Sequence, residues 1–238
     1  MHRFVWNLHY PRPEALETEF PISAIVHDTP EYPLGARVLP GNYTIKLTVD
    51  GKSYTQPLVV KMDPRITTSL DDLRKQHDIE VVATEAMNDS YESLEQVHSV
   101  RAQLKDLAAK AVRNEKLSGS LRALDKQCAE LEGATEPAFV GPPPAGKQPE
   151  NFSTINQHFS AILAVADSAD AAPTTQAEAA YRELEDSSTA LRKRWSALRE
   201  REILDLNVQL EKAGLSAIDP KKPSPEKPAS ASEGDDEP

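Results

Sequence analysis

The apolar residues of this chain change their spacing once, near residue 69, and nothing else in the sequence limits the fold as much. Before that point they alternate, with the period of a half-buried strand. After it they recur every three or four residues, the period of an amphipathic helix. A chain ordered this way folds as α+β, with strands first and helices after.

The first third reads as β. Phe4, Trp6, Leu8 and Tyr10 alternate and predict a strand. Pro-rich, irregular sequence follows from Pro11 to Leu34, with a short extra strand over Ser23–Val26. Leu39-Pro40-Gly41-Asn42 fits a tight turn, since proline presets φ at one central position and glycine supplies a positive φ at the next. Tyr43, Ile45, Leu47 and Val49 then alternate along a strand. Asp50-Gly51 is a two-residue hairpin signal, because both central positions of a type I′ turn need positive φ. The return strand spans about Ser53 to Met62, with Tyr54, Leu58, Val60 and Met62 on one face. Pro57 has no N–H to give a ladder, so that strand belongs at a sheet edge. A β-sandwich of immunoglobulin type uses about seven strands and roughly 100 residues. Three or four strands here leave an apolar face that either the helices or strands from elsewhere must cover.

The remainder reads as long helices. Ser69-Leu70-Asp71-Asp72 is a start signal, a serine cap followed by acids at the positive end of the dipole. Leu94, Val97, Arg101, Leu104, Ala108 and Ala111 form a stripe, with Arg101 as its polar exception, and the helix should run from about Leu70 to Val112. Asn114 interrupts it. Leu117, Leu121, Leu124, Cys128 and Leu131 share a face of a second helix that stops at Gly133. A loop marked by Gly141-Pro142-Pro143-Pro144 leads to a third helix, about Asn151 to Asp167. The last helix should start at Pro173 and end at Gly214. Tyr181, Leu184, Leu191, Trp195 and Leu198 repeat along it, and Ile203, Leu206 and Leu210 continue the stripe with a small offset. No helix with one apolar stripe is stable alone in water, so these should form an antiparallel bundle over residues 66–215. Residues 216–238, rich in Pro, Ser, Glu, Asp and Lys, should form a disordered acidic tail.

The chemistry-bearing residues carry no enzymatic signature. The net charge of -11 argues against nucleic-acid binding, which needs a basic surface. No apolar run approaches the roughly 20 residues that span a bilayer. One cysteine among 238 residues excludes an intrachain disulfide and a Cys-rich zinc site. Cys128 lies on an apolar helix face and reads as a small buried hydrophobe. His2, His9 and His27, and His77 with His98, have no spacing that makes metal ligands converge. Glu183, Glu185, Asp186, Glu200 and Glu202 read as a solvated face, and Arg192-Lys193-Arg194 as a basic patch paired with nearby acids. No nucleophile elbow, phosphate loop or zinc helix motif is present. No cofactor or catalytic residue is expected. The residues expected to matter are structural: Trp6 and Trp195 in the core, and the turn and strand residues Pro40, Gly41, Tyr43, Asp50 and Gly51.

Four stretches together carry a resemblance: Arg3 to Tyr10, Leu39 to Val49, Tyr54 to Leu58 and Lys61 to Arg65. They resemble the C-terminal region of bacterial secreted proteins with sortilin-like or BNR-repeat β-propellers, often labelled glycosyl-hydrolase-like. Leu204 to Leu210 with Ala213 to Leu215 is similar to the end of the helical segment in that region. The resemblance implies a partial immunoglobulin-like β subdomain over residues 1–65, followed by the helical bundle. Family members usually carry Asp at the position of Asn7, and neither a propeller nor a signal peptide is found here. The chain is therefore expected to be a severed C-terminal module, non-catalytic, completed by a protein partner or a second copy. The relatives are secreted or periplasmic, whereas the start as written reads as cytoplasmic. Two other functions remain open: a cytoplasmic helical adaptor, and an accessory part of a glycan hydrolase.

Overall fold

The computed structural model describes residues 4–25, 29–133 and 149–223. His2, Val26, His27, the Gly141–Pro144 loop and residues 224–238 lie outside the described residues. The fold is α+β. Two strands, β1 (Gly41–Val49) and β2 (Lys52–Val60), form one antiparallel hairpin. The helices are α1 (Leu70–Lys110), α2 (Glu115–Glu132), α3 (Phe152–Ala166), α4 (Thr175–Ala197) and α5 (Ile203–Lys212).

Capping chemistry sets the helix starts. Ser69 Oγ accepts from the Asp72 N–H at 3.1 Å, with Asp71 and Asp72 in the first turn. Asn114 caps α2 by accepting from Leu117 N–H. Asn151 and Thr154 form a reciprocal capping box on α3. Thr174, not Pro173, caps α4, which places the proline just outside the helix. Gly133 ends α2 at φ 82°, and a Cβ there would lie 2.2 Å from Asn151 Oδ1.

The helices pack as three rods. Along α1, His98 meets Glu132, Met87 meets Asn156 and Gln76 meets Ala166. Residue numbers fall on α1 as they rise on α2 and α3, so these two follow one another antiparallel to α1. Asp89 meets Arg192 and Gln96 meets Trp195, so α4 runs parallel to α1. The rods thus alternate in direction, while the two long ones run the same way. At 1.5 Å per residue α1 is about 60 Å long, enough to back both shorter helices. Phe152, Ile155, Phe159, Met87, Leu94, Leu121, Leu131 and Leu210 fill the core.

Between α4 and α5 the chain continues through one π-helical turn, Leu198–Glu202. That turn explains the offset of the apolar stripe. Leu198 and Ile203 are five residues apart, yet both are buried, because a π turn absorbs one extra residue and restores the register.

Three sequence expectations are corrected. Phe4–Tyr10 is not a strand: Phe4 is 88% exposed, Leu8 has φ 64°, and only an isolated bridge joins His9 to Arg37. Alternation is present, but the described residues offer that segment no ladder to join. Gly41 does not take the positive φ of a type II turn; it begins β1 and pairs with Val60. Residues 216–223 belong to the folded part. Ile218 is buried, Asn207 bonds both its N–H and C=O, and Gln103 does the same for Asp219. Two side-chain amides supply the hydrogen bonds that composition alone could not foresee.

Residues 8–25 and 29–38 lie along the helices as an irregular arm. Ala15 and Leu16 enter the helical core. Buried Asn156 accepts from Leu16 N–H at 2.9 Å and donates to Glu14 O and Met87 O, both at 3.0 Å. Gly35 lies so close to the preceding segment that a Cβ would sit 2.2 Å from Pro11 O.

Candidate functional site

The hairpin projects from this base into solvent. Every residue from Thr44 to Pro57 is exposed. Asp50 and Gly51 take φ 48° and 77°, as a type I′ turn requires. The register pairs Tyr43 with Leu58, Ile45 with Gln56, Leu47 with Tyr54 and Val49 with Lys52. Directly opposed residues share a face, so Tyr43, Ile45, Leu47, Val49, Tyr54, Leu58 and Val60 form one largely apolar surface, with Lys52 and Gln56 as its polar members. Only its lower end is partly covered. Ile45 is 50%, Leu47 59%, Val49 49% and Tyr54 60% exposed. The opposite face is mainly polar, with Asn42, Thr44, Lys46, Thr48, Ser53 and Thr55 beside Pro57 and the exposed Val59. A sheet that is apolar on one side has its sidedness built for a covering layer.

Aromatic contacts brace the hairpin's base. Tyr43 donates its hydroxyl to Leu39 O at 2.6 Å. Trp6 meets the Tyr43 ring edge-on at a centroid distance of 5.8 Å, and its indole N–H donates to His9 O at 2.8 Å. Trp6 is therefore half-buried against the hairpin and outside the helical core. Trp195 is in that core, donating to Gln96 Oε1 at 3.0 Å under the Arg199 guanidinium. Pro40 directly precedes β1, and a Cβ on Gly41 would meet Tyr43 Cε2 at an ordinary 3.7 Å.

A charged latch joins this base to the helices. Arg37 donates from Nε to Asp167 Oδ1 at 2.7 Å and from a terminal nitrogen to Asp170 Oδ1 at 3.0 Å. His9 Nε2 meets the same Asp167 oxygen at 3.1 Å, and its Nδ1 meets Asn7 O at 2.8 Å. Both partners can only accept, so both ring nitrogens donate and the imidazole is held as a cation. The Asp167 hydrogen bond accordingly raises the His9 pKa, against the opposing effect of burial. Burial pushes Asp167 up, but His9 and Arg37 outweigh it and hold the carboxyl below its usual range. Buried Glu80 accepts from Arg37 N–H at 2.8 Å and from Gln76 at 3.0 Å; its burial still raises its pKa. His77 Nδ1 meets Arg37 O at 2.7 Å.

A cavity of about 130 Å³ lies under the hairpin, lined by Leu39, Val60, Met62, Leu73, His77 and Glu80 among others. Small-molecule sites usually enclose about 300 Å³ or more. Glu80 and Asp167 do have pKa values pushed apart, as an acid–base pair would. Both Glu80 oxygens and Asp167 Oδ1 are already engaged by the protein's own donors, and Asp167 lines a separate cavity of about 670 Å³, beside Glu17, Thr18 and Ser168, and not the one that Glu80 lines.

The other sequence-singled residues fall elsewhere. Cys128 is buried on α2 and its thiol is pushed up to about 12 by burial. Arg101, the polar exception on the α1 stripe, reaches across to Asp125 and Glu132 on α2. His98 meets the same Glu132. Burial raises the Glu132 pKa, but His98 and Arg101 outweigh it and leave the carboxyl lowered. Arg192 pairs with Asp89 at 2.7 Å and Arg194 with Glu130 at 2.5 Å. No group of three or more His, Cys, Asp or Glu among the described residues is arranged to hold a metal ion. Among the same residues no helix is long and apolar enough to cross a membrane. Sequence reasoning missed the latch, since Arg37 and Asp167 are 130 residues apart and both lie outside the periodic stripes.

No protein-family model, curated protein or solved structure matches this chain.

Proposed function

We propose that this chain is a non-catalytic interaction module whose hairpin completes a β-sandwich with strands supplied by other polypeptide. One observation carries the reading: a well-formed hairpin keeps Ile45, Leu47, Val49 and Tyr54 in water on a single face. Large apolar side chains gathered on one side of a sheet mark a surface meant to be covered. The Tyr43 hydroxyl supports the sandwich geometry. A tyrosine near a strand start that bonds back to backbone a few residues upstream is a hallmark of immunoglobulin-type sandwiches. On this reading the subdomain is the immunoglobulin-like part of a sortilin-like β-propeller assembly, and the helical bundle is its rigid mount.

The hydrolase alternative gains little support, since Glu80 and Asp167 serve the latch and line two separate cavities. A helical adaptor would need an exposed stripe on a long helix. The α1 residues Leu94, Val97, Val100, Leu104 and Leu107 are buried instead.

The test begins with the genomic DNA upstream of the Met1 codon, translated in all frames. Further alternating strands and propeller repeats are the expected content. That upstream polypeptide, expressed separately, should then co-purify with this chain, and Leu47→Lys should abolish the association. An unrelated gene or a promoter upstream would overturn the propeller assignment. Co-purification that survives Leu47→Lys would overturn the role of the apolar face.

A further inference from the structure

The hairpin has two open edges, and they are not equivalent. In a two-residue turn the residue before it accepts from the residue after it, so Val49 and Lys52 are a hydrogen-bonded pair. Bonded and non-bonded pairs then alternate down an antiparallel ladder. With the observed register, Leu47–Tyr54, Ile45–Gln56 and Tyr43–Leu58 bond to each other. Asn42, Thr44, Lys46 and Thr48 therefore turn their backbone groups outward from β1. Ser53, Thr55, Pro57 and Val59 do so from β2. The 3.0 Å contact between Thr48 Oγ1 and Ser53 Oγ agrees with the closer spacing of a non-bonded pair.

Pro57 thus falls in the outward row of β2, where it deletes a donor in mid-edge and its ring stands in the path of an added strand. The outward row of β1 is complete. Resting on the interaction-module reading above, we propose that β1 alone is the strand-accepting edge, and that its occupant is an antiparallel, amphipathic strand of a different polypeptide. That strand carries apolar side chains on the Ile45 face and an acidic residue opposite Lys46.

Charge and area choose this occupant over a second copy. Residues 41–62 carry Lys46, Lys52 and Lys61 against Asp50 alone, in a chain of net charge -11. Neither Lys46 nor Lys52 has an ion-pair partner among the described residues. A second copy would set a like-charged hairpin on this one and bring a second acidic helical bundle with it. Two β1 edges joined by symmetry would also place both apolar faces side by side in one sheet, still in water. The exposed apolar face rests on four large side chains, Ile45, Leu47, Val49 and Tyr54, far fewer than the roughly 20–30 residues a partner contributes to a standard interface. Edge and face must both be covered to reach that size, which a strand with its own sheet behind it does.

The test uses the full 238-residue chain and two synthetic peptides of about the length of β1. Both alternate valine with threonine; one carries glutamate where it would face Lys46, the other lysine. Amide exchange is followed by NMR as each is added. The glutamate peptide should slow exchange at Thr44, Lys46 and Thr48, leave Ser53, Thr55 and Val59 unchanged, and bind more tightly than the lysine peptide. Thr44→Pro should weaken it about tenfold, the worth of one backbone bond. Thr55→Pro should leave affinity unaltered. Each proline replaces an outward N–H, so neither disturbs the ladder, and the unbound spectrum checks this directly. Protection on the β2 row instead would overturn the edge assignment and leave the module reading standing. Protection that grows with protein concentration alone would make the occupant a second copy and overturn the partner. Exchange unchanged by either peptide overturns strand addition, while the co-purification test decides the module reading separately.

Discussion

Tyr43 donates its hydroxyl to the carbonyl of Leu39, four residues upstream and 2.6 Å away, and Trp6 rests edge-on against the same ring. The hairpin thereby leaves its base in one direction, although every residue from Thr44 to Pro57 is exposed. Tyr43→Phe removes that bond and keeps the ring. The expected loss is about 1 kcal/mol, read as faster amide exchange at Ile45 and Gln56 with no change in the helices.

Asp167 holds two cations, His9 and Arg37, on one carboxylate oxygen. Asp167→Ala should leave His9 Nε2 and Arg37 Nε without their acceptor and loosen the arm on α3, with Arg37 still paired to Asp170. These groups are partly exposed, so solvent softens the effect, and a loss of about 2 kcal/mol is expected in chemical denaturation. Arg37→Ala should cost a similar amount.

The latch also titrates. His9 has a raised folded pKa, so its contribution is complete below the ordinary value of 6.5 and disappears as pH rises through the raised value. Asp167 has a lowered pKa, so its contribution is complete above 3.8 and disappears as pH falls through the lowered value. Glu80, with a raised pKa, acts in the same sense as His9: stability declines as pH climbs from 4.5 through its raised value. Denaturation at pH 6 and pH 8 should show the wild type losing stability, and His9→Gln losing less.

Phe159 is fully buried between the rods, and Phe159→Ala should cost about 3–5 kcal/mol. Buried Cys128, with its thiol pushed up to about 12, should resist alkylation by iodoacetamide until the chain unfolds. Labelling in the folded state at the rate of a free thiol would contradict its placement.

Legibility in the sequence followed how local each determinant is. Asp50-Gly51 fixes a hairpin by its own φ preferences, and the alternation of Tyr43 to Val49 and of Tyr54 to Val60 fixes which side is apolar. The helices were readable because each apolar stripe repeats over many turns. Even the π turn left a trace, as the shifted stripe from Leu198 to Ile203. Phe4–Tyr10 misled because alternation describes a strand's faces and says nothing of whether a neighbour exists. The latch could not be read: His9, Arg37, Glu80 and Asp167 are single polar residues, brought together only by packing of the arm on α1 and α3.

The most direct measurement is amide hydrogen exchange on the isolated chain at low concentration. An intact hairpin with an uncovered face and an open β1 edge should show slowed exchange at Ile45, Leu47, Tyr54 and Gln56. Thr44, Lys46 and Thr48 should exchange at close to the rate of free peptide. A stable monomer with all of these amides protected would mean that the sheet is already complete, and would contradict the need for a partner.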